Sequence, residues 1–173
     1  MSKSLPSLTL VLGGQRSGKS AYAEDLLCPE QKALYVATAQ VLDKEMKERV
    51  RIHENRRNRN WMTVEEPFDI ASALLLNDKV GRPILIDSLG MWISNLLAHD
   101  KNIEKHMLEL VRATENIKSS LIFVSDEVGL GIIPDNALAR RFIDKLGTLN
   151  QLIADRADTV IFVTAGLPMY LKG

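Results

Sequence analysis

The octapeptide Gly13–Ser20, GGQRSGKS, follows directly on the run Leu8–Leu12, LTLVL. This is a G-x-x-x-x-G-K-[ST] pattern at the end of an apolar strand, and no other stretch constrains the fold as tightly. A strand must deliver the chain into a tight glycine loop, and a helix must leave it near Gly18. The pattern lets the backbone N–H groups of Gly13, Gly14, Gln15, Arg16, Ser17 and Gly18 approach phosphate oxygens. Lys19 is placed to reach β- and γ-phosphates, and the Ser20 hydroxyl to ligate Mg²⁺. The positive end of the helix acts on the same anion. The alternative is a glycine-rich turn with a surface lysine, and the flanking strand and helix patterns argue against it.

The rest of the chain fits one domain, residues 1–173, long enough to bury a full core. Lys+Arg and Asp+Glu both number 22, so no net basic field recruits nucleic acid or anionic lipid. The single cysteine, Cys28, excludes an intrachain disulfide, which suits a reducing, cytoplasmic location. It precedes Pro29 and reads as a small apolar loop residue rather than a nucleophile. No apolar run is long enough for a membrane span. The apolar N-terminal stretch runs straight into the glycine loop, so it reads as the first strand and not as a signal sequence.

Strand and helix patterns alternate. Strands are predicted at Leu8–Leu12, Ala33–Ala37, Pro83–Asp87, Leu121–Ser125 and Thr159–Thr164, with Pro168–Lys172 as a short edge strand. Helices are predicted at Lys19–Leu27, Asp43–Asn58, Phe68–Leu75, Met91–Ala98, Ile103–Lys118 and Asn136–Ala157. Short, continuously apolar strands separated by helices indicate a mostly parallel sheet covered on both faces. The expected fold is therefore α/β, a three-layer P-loop NTPase (RecA-like) sandwich. The longest irregular segments are Asn58–Pro67 and Ser125–Asn136, where function concentrates.

Three constellations carry chemistry. Asp87 ends an apolar strand, where a carboxylate can hold Mg²⁺ directly or through water. Its competitor is Asp126-Glu127, after the strand LIFVS; Asp87 is the favoured of the two. A helix cap is the alternative role for either, and Ser88 could cap as well. In the helix Asp43–Asn58, Arg49, His53 and Arg56 or Arg57 share one face. Flanking arginines would hold the imidazole neutral and clamp a phosphate. On spacing alone, a charged, solvated helix with one histidine is the plainer reading. His99 and His106 lack such company and read as surface residues. The segment Ser125–Pro134, with Gly129 and Gly131, is a constrained loop at a strand end, where ligands sit in open α/β sheets. A tight turn feeding the next helix explains it equally well.

Several runs together match one family. They are GGQRSGKS at Gly13–Ser20, YVATAQ at Tyr35–Gln40 and D-x-E-M-x-x-R-[IV]-x-x-H at Asp43–His53. The others are W-x-T-x-E-x-P at Trp61–Pro67, SLGMWISNLL at Ser88–Leu97 and the long run Ser125–Asp158. Through these the chain resembles the bifunctional adenosylcobinamide kinase / adenosylcobinamide-phosphate guanylyltransferase family of cobalamin synthesis. The resemblance implies two reactions. ATP or GTP phosphorylates the aminopropanol hydroxyl of adenosylcobinamide. GTP then donates GMP to that phosphate through a guanylylated histidine, which by motif position is His53. It implies nucleotide contacts at Gly13–Ser20, Ala37, Thr38, Ala39, Glu54, Asn55, Arg56, Arg57, Glu65 and Asp87. Catalysis would rest on His53 and Lys19, Mg²⁺ binding on Ser20 and Asp87, and the assembly would be a homotrimer. Arg49-Val50 stands where the family pattern suggests Arg-Ile, a conservative change. Two rivals remain. One is a simple P-loop small-molecule kinase without a covalent intermediate. The other is a nucleic-acid-binding ATPase, against which stand zero net charge and 5% aromatic residues.

Overall fold

The computed structural model describes residues 5–40, 51, 57 and 59–173. The predicted helix at Asp43–Asn58 therefore lies outside the described residues except at Arg51, which is helical, and Arg57, which stands in a bend rather than in the predicted helix. The strands are β1 (Leu8–Gly13), β2 (Ala33–Ala37), β3 (Trp61–Glu65), β4 (Ile84–Asp87), β5 (Leu121–Asp126), β6 (Thr159–Thr164) and β7 (Leu167–Lys172). The helices are α1 (Lys19–Asp25), α2 (Ile70–Asn77), α3 (Leu89–Ala98), α4 (Ile103–Thr114) and α5 (Ala137–Arg156). One sheet of seven strands runs in the order β3-β2-β4-β5-β1-β6-β7. All neighbours are parallel except β6 and β7. The phosphate-loop strand β1 sits between β5 and β6.

Alternation along the central strands sorts their side chains between two cores. Leu10, Leu12, Leu34, Val36, Ile84, Ile86 and Phe123 face the larger core with α2, α3, α4 and α5. Val11, Tyr35, Leu85, Ile122, Val124, Ile161 and Val163 face the other, with Ala23 of α1 and Leu27 just beyond it. The central strands are buried on both faces, which is why they read as unbroken apolar runs.

Helix starts follow capping chemistry. Asp69 accepts from Ser72 N at 3.0 Å, Ser88 from Met91 N at 3.3 Å and Asn102 from Lys105 N at 3.0 Å. Asn136 accepts from Leu138 N and Ala139 N at 2.8 and 3.1 Å. These caps move the start of α2 from the predicted Phe68 to Ile70 and that of α3 from Met91 to Leu89.

One sequence expectation is corrected. The segment Asn58–Pro67, read as irregular, contains β3, paired in parallel with β2 along its whole length. As an edge strand it leaves Met62, Thr63 and Glu65 exposed and buries no residue fully. It therefore lacks the continuous apolar run that marks the inner strands. Its remaining signal is the strand preference of Trp61, Thr63 and Val64.

Candidate nucleotide-binding site

The C-terminal ends of the strands form one rim. Parallel register places Glu65 beside Ala37, Ala37 beside Asp87 and Gly13 beside Asp126. Adjacent strands lie about 4.8 Å apart, so Glu65 and Asp87 are separated by roughly 10 Å. Period two fixes the direction of their side chains. Ala37 follows Tyr35 by two residues, Asp87 follows Leu85, and Asp126 follows Val124; all three reference residues line the α1 core. Glu65, Asp87 and Asp126 therefore turn to the sheet face that carries α1 and the glycine loop.

The loop is closed by Ser17 N donating to Gly14 O at 3.2 Å and by Gly166 N donating to Ser17 O at 2.8 Å. The second bond ties it to the β6–β7 turn. Gly18, the residue before α1, has φ +96°, a backbone state that glycine adopts without strain. Arg16 is exposed with φ 58°, and Ser20 lies half-buried in the first turn of α1. Lys19 folds back over the loop. Its Nζ lies 2.7 Å from Asp126 Oδ1 and donates to Gly14 O at 3.2 Å. The side chain is 11% exposed, so a cation is held almost dry at the loop mouth, where phosphate charge would arrive.

Asp126 is itself positioned. Ser125 Oγ donates to Asn150 Oδ1 at 2.6 Å inside the core, and Asn150 Nδ2 donates to Asp126 O at 3.1 Å. Gly90 at the start of α3 gives it room, because a Cβ there would stand 2.1 Å from Asp126 Oδ2. Between Asp87 and Asp126, the residue that meets Lys19 is thus Asp126. Its strand neighbours β1, whereas β5 separates β4 from β1. Asp87 accepts instead from the Tyr35 hydroxyl at 3.1 Å. Burial, and next the charge of Asp87, push the Tyr35 phenol well above its ordinary pKa, so it stays protonated and keeps donating. Arg57 lies over the Tyr35 ring at 3.6 Å and donates to Thr63 Oγ1 at 3.3 Å. Trp61 meets the same ring edge-on at 6.2 Å. Arg57, Tyr35, Asp87 and the first half of β3 therefore form one connected group. Tyr35, Asn150 and Gly90 carry no role in the sequence reading; the clue was a polar or missing side chain inside a core-facing position.

Thr38 is fully buried. Its hydroxyl donates to Ser88 O and accepts from Ser88 N, both at 2.8 Å, and its carbonyl accepts from Asn95 Nδ2 at 2.7 Å. The side chain therefore pins the β2 and β4 ends together. Thr38→Val keeps the shape but leaves Ser88 N without its acceptor, while Ser88 O keeps the bond from Trp92 N. It is expected to destabilise by about 2 kcal/mol and lower the melting temperature by roughly 4–8 °C. Differential scanning calorimetry against the unmodified chain checks this.

His53, Glu54, Asn55 and Arg56 lie outside the described residues. His99 caps the far end of α3, its Nδ1 3.0 Å from Asn95 O, and His106 lies 3.8 Å from Glu109 on α4; neither is on the rim. A cavity of about 270 Å³ opens beside Ser7, Leu8, Glu115, Ser119, Leu121 and Arg156. It lies at the strand starts, the opposite end of the sheet from the glycine loop. Among the described residues no three His, Cys, Asp or Glu groups converge to hold a metal by themselves. No described helix is long and apolar enough to cross a membrane.

The family described as "Cobinamide kinase / cobinamide phosphate guanyltransferase" matches residues 9–171. A protein of Pseudomonas aeruginosa, "Bifunctional adenosylcobalamin biosynthesis protein CobP", is 42% identical over 167 residues, covering 95% of this chain and 96% of that one. Proteins of Salmonella typhimurium and Escherichia coli, each "Bifunctional adenosylcobalamin biosynthesis protein CobU", are 33% and 32% identical over 180 residues. Each of those alignments covers 95% of this chain and 99% of the relative.

Proposed function

This chain belongs to the cobinamide kinase / cobinamide phosphate guanyltransferase family, and we propose that it carries out both reactions that name implies. In the first, the aminopropanol hydroxyl of adenosylcobinamide attacks the γ-phosphorus of ATP or GTP and the nucleoside diphosphate leaves. In the second, His53 attacks the α-phosphorus of GTP and pyrophosphate leaves. The phosphate of adenosylcobinamide phosphate then attacks the phosphorus of the guanylyl-histidine. This gives adenosylcobinamide-GDP and returns the imidazole, one hard displacement divided into two easier ones.

The observation that carries the reading is the Lys19 ammonium, held 2.7 Å from Asp126 and 3.2 Å from Gly14 O inside the glycine loop. It is a preformed cation for the triphosphate, and phosphoryl transfer depends on such positioning and charge stabilisation. Glu65, Asp87 and Arg57 on the neighbouring rim complete the proposed nucleotide contacts, with Ala37 and Ala39 beside them. Thr38, buried and with its N–H and carbonyl engaged by Asp87 O and Asn95 Nδ2, holds that rim together rather than touching the nucleotide. The donor set suits Mg²⁺, a hard cation that takes few protein ligands beside water and phosphate oxygens. Ser20 with Asp87 would hold it, and Asp126, which meets Lys19, is a further carboxylate on the same face. When bound, the ion neutralises and orients the β- and γ-phosphate oxygens. A cytoplasmic homotrimer is part of the same proposal, supported by the family resemblance.

The test is a product assay with adenosylcobinamide, Mg²⁺ and either ATP or GTP, read by liquid chromatography and mass spectrometry. A phosphate adduct should appear with either donor, followed with GTP by the GMP adduct and one pyrophosphate per transfer. The phosphate adduct alone would leave the simple kinase as the function. Neither adduct would overturn the reading.

A further inference from the structure

The segment between β5 and α5 carries an apolar surface that the reactions above do not use. Leu130, Ile132, Ile133 and Leu138 are 81%, 97%, 77% and 59% exposed. Their exposure is built in. Val128 packs against the core at the loop's start, and Glu127 Oε1 accepts from Gly129 N at 2.6 Å. At the other end Arg140 Nη1 donates to Pro134 O at 2.8 Å and Asp135 O at 2.6 Å. The ends are held by local bonds while the aliphatic tip is presented to water. Four large aliphatic side chains exposed within nine residues of sequence mark a binding face.

Its place says which molecule it serves. The segment leaves β5 directly after Asp126, the partner of Lys19, and Glu127 N donates to Gly13 O at 3.0 Å, extending the ladder into the loop. Ile132 is six residues beyond Asp126, so its Cα lies within roughly 20 Å of that of Asp126, the partner of Lys19. The acceptor of the proposed reactions is a corrin macrocycle whose reacting hydroxyl hangs on a short arm. When that hydroxyl meets a γ-phosphate, the macrocycle must rest an arm's length away. Between its amide arms a corrin presents methyl groups and ring edge that an aliphatic surface can cover. The geometry points to the Leu130–Ile133 tip, with Leu138, as the platform on which the corrin ring of the acceptor docks. This rests on the functional reading above and adds to it where the second substrate sits.

The double variant Ile132→Ser/Ile133→Ser tests the platform. Both side chains face solvent, so melting should be unchanged within about 2 °C. Equilibrium dialysis, read by corrin absorbance, should show adenosylcobinamide affinity weakened at least about tenfold, with a matching rise in its KM. Affinity for a fluorescent GTP analogue and the sedimentation mass should equal those of the unmodified chain. Unchanged corrinoid affinity would overturn the platform. A fall in mass would overturn it in favour of a contact between copies of this chain. A parallel loss of nucleotide affinity would overturn it in favour of support for the phosphate loop. If the unmodified chain binds and converts adenosylcobinamide but the variant matches it, only the platform fails. If the unmodified chain does neither, the functional reading fails and takes the platform with it.

Discussion

Lys19→Ala should lower kcat/KM for phosphorylation of adenosylcobinamide by roughly 10³, or about 4 kcal/mol of transition-state stabilisation. The structure gives the reason for so large an effect. The ammonium is nearly dry, fixed between the Asp126 carboxylate and the Gly14 carbonyl, so its field on an incoming triphosphate is weakly screened. Its removal takes away that field and also leaves Asp126 uncompensated, adding repulsion where negative charge must accumulate. Lys19→Met, which keeps the aliphatic stem, should lose nearly as much and so assign the loss to charge rather than packing. Lys19→Arg should recover only part, because the fork of a guanidinium does not reproduce a compact point charge. Steady-state kinetics with ATP and with GTP, and circular dichroism to confirm folding, read the result. Activity within threefold of the unmodified chain would show that the loop is not the working triphosphate site.

How far the sequence speaks depends on what sets each element. β1, its glycine loop and α1 are governed by local chemistry, an apolar strand and residues that tolerate a tight turn, and the structure places them as expected. The caps at Ser88 and Asn136 are equally local. β3 was hidden because an edge strand has no second face to bury, so Trp61–Glu65 shows no continuous apolar run. The role of Asp126 was hidden for another reason. Asp87 and Asp126 both end apolar strands, and nothing in their neighbours along the chain says which strand lies against β1. That is decided by the crossovers, which put β5 between β4 and β1. Tyr35 and Asn150 were missed because polar groups in core positions look like ordinary members of a strand or helix until their partners are known. The family resemblance implies a nucleotide contact at Thr38, whose hydroxyl the structure engages with Ser88.

These distinctions bear on how the rim divides its work. Asp126 is tied to Lys19, to the Asn150 amide through its backbone, and to the space left by Gly90. Asp87 belongs to a different group with Tyr35, and Arg57 stacks on that tyrosine. One cluster is built around the glycine loop. The other lies two strands away, beside β3. Under the proposed reading the two meet at Mg²⁺, which Ser20 of the loop and Asp87 of the second cluster would hold together.

His53→Ala should abolish covalent labelling by [α-³²P]GTP, while the unmodified chain with Mg²⁺ takes up acid-labile, base-stable label. That stability pattern distinguishes a phosphoramidate on an imidazole nitrogen from an ester on serine or an acyl phosphate. The assignment rests on the family resemblance, which puts the guanylylated histidine at His53 by motif position; on spacing alone the segment reads as a charged, solvated helix. If Arg49 and Arg56 flank the imidazole, their charge would disfavour imidazolium and would offset charge on the α-phosphate during attack. Without the imidazole, the phosphate of adenosylcobinamide phosphate must displace pyrophosphate directly, anion against anion, and GMP transfer should fall by at least about 10³. Phosphorylation of adenosylcobinamide by ATP should remain within a few-fold, since that step asks nothing of a nucleophilic nitrogen. The split between the two activities is the decisive reading. Label surviving in the variant would place the nucleophile elsewhere, and equal loss of both reactions would make His53 a support for nucleotide binding rather than the group that carries GMP.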